Sequence, residues 1–147
     1  MDKIEELLNH LTKSGLTAEE KILALGNLCT EYINAGDIDN VLKYAALATI
    51  CTSCPTAFSC CLMGDAYHLI GNLDWAEKWY MDAMSKSVNP VSIGGEVGFF
   101  SWIPLTKMAI IAYERGDMQH AAEYLNAAKI LNPDIKDNEV FDTNCKN

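Results

Sequence analysis

Four of the six cysteines lie close together, as Cys51-Thr-Ser-Cys54 and Cys60-Cys61. Thiolates two residues apart match the way a loop presents sulfur to zinc, so the cluster could supply a tetrahedral site. The second pair is adjacent, however, and neighbours on a helix point about 100 degrees apart, so both rarely reach one ion. Cys60 also falls where a core side chain is needed, and a small buried cysteine behaves there as an apolar residue. Asp37-Ile38-Asp39 places two carboxylates one residue apart. It stands at a helix start, where Asp37 is a good cap and acidic side chains favour the positive end of the dipole. His10, His68 and His120 are far apart, with no Asp or Cys partner at a recognisable spacing. The expectation is no catalytic residue, no metal, no cofactor and no enzymatic activity.

The elements that position these residues follow from a repeat. Leu25, Leu28, Tyr32, Gly36 and Ala48 recur as Cys60, Met63, Tyr67, Gly71 and Ala83, then as Leu105, Met108, Ala112, Gly116 and Ala128. A period close to ~34 residues, with a small residue at the turn, means stacked helical hairpins. An N-terminal helix over 2–14 places Ile4, Leu7, Leu8 and Leu11 on one face, with Asp2 and Glu5 spaced as a capping box and Gly15 as a stop. The first hairpin occupies 17–54, opened by Thr17 and Glu20, turned at Gly36 and resumed with Asp37 as cap. The second spans 55–87, with Pro55 in a first helical position, a turn at Gly71-Asn72, and Ala76, Tyr80 and Ala83 facing inward. The glycine spacing then stretches from 35 to 45 residues. The excess falls in an insertion, 88–101, whose Pro90, Gly94, Gly95 and Gly98 favour turns. The third hairpin, 102–133, has Ser101 as its cap and turns at Gly116-Asp117. A polar tail, 134–147, has little apolar content beyond Ile135, Val140 and Phe141 and is expected to be loosely held. Ala48, Ala83 and Ala128 mark the closest approach of paired helices, where a larger side chain would overpack.

Met63-Gly64, Ala66-Tyr67, Gly71-Asn72, Ala76, Tyr80 and Ala83 resemble the tetratricopeptide repeat motif over about residues 22 to 133. The resemblance implies an all-α, right-handed solenoid of three antiparallel helical hairpins plus the N-terminal helix, in a single domain. It says little of function, because such folds host many partners. From Met63 onward the chain also resembles the helical repeat region that follows the catalytic domain of bacterial family-2 glycosyltransferases. The residues that carry this are Trp79-Tyr80, Gly98-Phe99-Phe100-Ser101-Trp102-Ile103-Pro104, Ala112-Tyr113, Gly116-Asp117, Asn132-Pro133 and Asn138 to Asn144. Nothing before residue 22 has the size of a catalytic domain. The ancestry would make the chain an accessory module acting with a separately encoded enzyme.

Twenty acidic residues against eleven basic ones leave a formal charge of -9, which repels phosphate backbones and anionic lipid. The lysines are scattered and form no basic stripe, so nucleic acid is an unexpected partner. No apolar run approaches the ~20 residues of a membrane span, and the amphipathic start reads as unexported, so a soluble, cytoplasmic chain with reduced thiols is expected.

The function expected of such a chain is binding of a partner protein or peptide on the concave face of the stack or against the aromatic insertion. Helical spacing puts Asn27, Thr30 and Asn34 on that face, then Cys61, Asp65 and His68, then Thr106, Ile110 and Tyr113, with Lys107 at the edge. Repeats that grip chaperone tails use a Lys, Arg and Asn cluster, and Gly26, Thr30 and Asp65 stand here instead. Trp75, Trp79, Phe99 and Trp102 would make a docking patch were Trp79 and Phe99 exposed together. The helix from Met118 to Leu131 has no following hairpin to cover it, which leaves an end through which two chains could pair.

Overall fold

A computed structural model describes residues 2–86, 99 and 101–145, without the side chains of 142–145. The described residues form eight α-helices and no strand. These are α1 (Lys3–Leu11), α2 (Ala18–Ala35), α3 (Ile38–Thr49), α4 (Ala57–Ile70), α5 (Leu73–Ser85), α6 (Trp102–Glu114), α7 (Met118–Leu131) and α8 (Asp137–Cys145). The first two start as their sequence dictates. The Asp2 carboxylate accepts from the Glu5 amide at 2.8 Å, and the Thr17 hydroxyl accepts from the Glu20 amide at 3.1 Å.

The three hairpin turns share one geometry. Gly36, Gly71 and Gly116 adopt φ of +74°, +90° and +80°, a region that penalises any side chain. The amides of Asp37, Asn72 and Asp117 then donate back to the carbonyls of Tyr32, Tyr67 and Ala112 at 2.9, 3.0 and 2.9 Å. Their side chains accept from the amides of Asn40, Trp75 and His120, three residues ahead. One residue thus closes one helix and caps the next.

Packing runs in chain order. Helices pair as α2 with α3, α4 with α5 and α6 with α7; α3 meets α4, α5 meets α6, and α1 lies on α2. Ala48, Ala83 and Ala128 are fully buried, as close approach requires. One core cluster gathers Leu7, Leu28, Tyr32, Val41, Ala45, Met63 and Ala66. A second gathers Ala57, Cys60, Tyr80, Leu105, Met108 and Ile111. Tyr67 and Trp79 pack against both. A Cβ on Gly64 would lie 2.5 Å from the Tyr80 ring, so the glycine is what lets that ring enter the core.

Three sequence expectations change. The helix of the second hairpin begins at Ala57, not Pro55, because the Thr56 hydroxyl accepts the Ser59 amide at 3.1 Å and so fixes the cap. Ser101 stands before α6, but its side chain makes no capping bond. Over its described residues the tail is docked rather than loose: α8 packs on α6, with Val140 buried beside Ala109 and Leu125, Phe141 stacked on Tyr113 at 4.8 Å, and Lys129 paired with Asp137. Three apolar residues were enough to anchor it. The last hairpin is accordingly covered in part, although Ile130 remains 82% exposed. Of the insertion, residues 88–98 and 100 lie outside the described set, and with them Pro90, Gly94, Gly95 and Gly98.

Candidate functional site

The predicted face divides in two. Asn27, Thr30 and Asn34 are exposed on α2, where the Thr30 hydroxyl donates to the Gly26 carbonyl at 3.2 Å. No hydrogen bond or ion pair among the described residues links this trio to the rest. Asp65 and His68 on α4 do meet α6. Lys107 Nζ lies 3.4 Å from Asp65 Oδ1, and His68 Nε2 lies 2.9 Å from Glu114 Oε2. Asp65 also accepts from the Tyr80 hydroxyl. Burial, and then the Asp65 charge, hold that phenol well above its ordinary pKa, so it stays a donor.

These residues border a recess of about 450 Å³, lined by His68 from α4, Trp102, Thr106, Lys107 and Ile110 from α6, and Ile135, Glu139 and Val140 from the C-terminal segment. Four predicted residues, His68, Thr106, Lys107 and Ile110, therefore share one cavity wall. Tyr113 does not join them as an open surface, because Phe141 stacks on its ring. Cys61 is buried beneath Phe99, donating to its carbonyl at 3.4 Å. The wall combines apolar side chains with an imidazole and an ammonium that carboxylates hold in place. It is suited to enclosing a side chain with both apolar and polar parts.

Sequence reasoning missed Glu114, Ile135, Glu139 and Val140. Glu114 follows the predicted Tyr113 directly and occupies the repeat position of Asn34. The other three were readable only as the apolar residues of a polar tail and their neighbour. Asp117 was also missed as a histidine partner: its carboxylate stands 2.6 Å from His120 Nδ1, three residues on. Hydrogen bonds from the His120 amide and ring lower the Asp117 pKa, and the bond to Asp117 raises that of His120. Nearby, Arg115 bridges from the third hairpin to Asp74 and to Glu77, the latter at 3.2 Å.

The cysteines are dispersed in role. Cys60 donates to Asp82 at 3.5 Å, and Cys29 to the Val41 carbonyl at 3.7 Å. Burial pushes both thiols up to about 12, and Cys61 is raised by burial and by Asp65. Among the described residues no group of three or more His, Cys, Asp or Glu side chains is placed to hold a metal. The aromatic patch is also divided. Trp79 is half-buried between the two cores, and Phe99 packs edge-on against Phe58 at 4.7 Å. Trp75 stacks on Tyr67 and carries the Lys78 ammonium over its ring at 4.8 Å.

Among the described residues no helix is long and apolar enough to cross a membrane. No protein-family model and no curated protein matches the sequence.

Proposed function

We propose that the chain is a non-enzymatic, cytoplasmic adaptor of the tetratricopeptide kind, a right-handed stack that holds a segment of a partner protein in the recess between α4, α6 and α8. The observation that carries this reading is the recess itself. Its His68 and Lys107 are each positioned by a carboxylate, and Trp102, Ile110 and Ile135 offer apolar walls beside them. A pre-set wall of this kind lowers the ordering cost of capturing a peptide. The net charge of -9 makes nucleic acid an unfavourable occupant.

The test is affinity co-purification from the native cells with wild-type chain and with Thr106→Arg/Ile110→Arg, two half-buried positions whose new side chains would fill the recess. Loss of the captured protein with unchanged helical circular dichroism is the expected result. Capture undiminished by the double substitution overturns the site. A second reading, an accessory module of a separately encoded glycosyltransferase, draws on the run from Ser101 to Pro104, whose Trp102 lines the recess. It requires the captured protein to be such an enzyme.

A further inference from the structure

The loop between α3 and α4 carries two thiols that the recess does not use. Its backbone bends at each of residues 51 to 54, and the Thr52 hydroxyl donates to the Cys54 carbonyl, holding the chain curled over the intervening residues. Curling matters because a disulfide needs Cα atoms within about 7 Å of each other. Residues three apart in an extended chain stand about 10 Å apart. Cys54 is exposed and Cys51 half-buried, and Cys51 donates to the Leu47 carbonyl of its own helix end at 3.4 Å. The other described thiols, Cys29, Cys60 and Cys61, are buried inside helices, the first two bonded to the partner helix of their own hairpin and the third to the Phe99 carbonyl.

We infer that Cys51 and Cys54 are a modification site, closing to a reversible intrachain disulfide when the chain meets a small-molecule disulfide such as oxidised glutathione. The exposed Cys54 thiolate attacks one sulfur of the small disulfide, forming a mixed disulfide and releasing one small thiolate, which takes up a proton. The Cys51 thiolate then attacks Cys54 Sγ and expels the second small thiolate. The two protein thiols lose two protons and two electrons between them, and the small disulfide is reduced to two thiols. Burial raises the Cys51 pKa, and the Lys21 ammonium opposes that rise. The bridge would fix the loop that joins the first hairpin to the second, without touching either core.

The experiment treats the reduced full chain with oxidised glutathione, blocks remaining thiols by alkylation, and maps peptides after cleavage behind Phe58, which separates Cys51 and Cys54 from Cys60 and Cys61. The expected product is a peptide lighter than its reduced form by about 2 Da, with both thiols lost to alkylation and restored by dithiothreitol. Cys51→Ser should instead retain one glutathionyl group on Cys54, with unchanged helical circular dichroism. Undiminished alkylation of Cys51 and Cys54, a stable glutathionyl adduct on wild-type Cys54, or a bridge to Cys60 or Cys61 would each overturn the inference.

Discussion

The two junctions between hairpins are built by different means. Where the first hairpin meets the second, contact is apolar and steric: the Phe58 ring sits so close to α2 that a Cβ on Gly26 would lie 2.5 Å from it, and Met63 and Ala66 complete the cluster of Leu28, Tyr32 and Val41. Where the second meets the third, an apolar core of Tyr80, Leu105 and Met108 is supplemented by three charged links across the hairpins. These are Asp65 with Lys107, His68 with Glu114, and Arg115 with Asp74 and Glu77. Apolar burial has no preferred direction, whereas charged hydrogen bonds do. The junction that borders the recess is the one that carries the charges.

Three substitutions test that contrast, from the largest effect to the smallest. Tyr80→Ala removes a wholly buried ring that fills the space above Gly64 and leaves Asp65 without its phenol donor. It should cost about 3–5 kcal/mol in denaturant unfolding, as for other buried aromatic deletions. Gly26→Val strikes the first junction alone, and the overpacking against Phe58 should cost about 1–3 kcal/mol, equally in low and high salt. Arg115→Ala strikes the second junction, and its cost should be about 0–1 kcal/mol, because these links are partly solvated. That cost should vanish in 1 M salt, where the screening length falls to about 3 Å. A salt-sensitive Gly26 variant or a salt-insensitive Arg115 variant would erase the distinction between the junctions.

The smallest effect concerns an exposed pair on the third hairpin. His120 has a raised pKa, so its contribution is present below the ordinary histidine value and is lost as pH rises through the raised one. Asp117 has a lowered pKa, so its contribution is lost as pH falls through that lowered value. The pair is complete between those limits. In an NMR titration Asp117→Asn should return His120 to the ordinary histidine range, and an unchanged His120 would show that Asp117 does not hold it.

The helix pairs were legible because their signals are local. Glycine at a left-handed turn, an Asx cap beside it and apolar residues at helical spacing each act within a few residues, and all three turns formed as read. The start of α4 was misplaced because Pro55 and Thr56 compete as helix openers, and the hydroxyl that could accept the Ser59 amide decided it. The site was legible only by half. His68, Thr106, Lys107 and Ile110 follow from which face of a helix they occupy, but the lower wall comes from Ile135 to Val140, whose position depends on a return of the chain over α6. No local periodicity records such a return. Cys61 and Tyr113 are covered by Phe99 and Phe141, residues of segments whose paths the spacing does not specify.

Packing in chain order has a kinetic consequence. Among the described residues most helix contacts join neighbours in sequence, and the longer-range ones include α2 with α4, α4 with α6 and α6 with α8. Little loop entropy must be lost before contacts begin to stabilise, and helical chains of this low contact order fold in about microseconds to milliseconds. Folding can start at any hairpin and spread to its neighbours. Because Ile135, Glu139 and Val140 line the recess only once the chain has returned over α6, that wall cannot close before the third hairpin has formed.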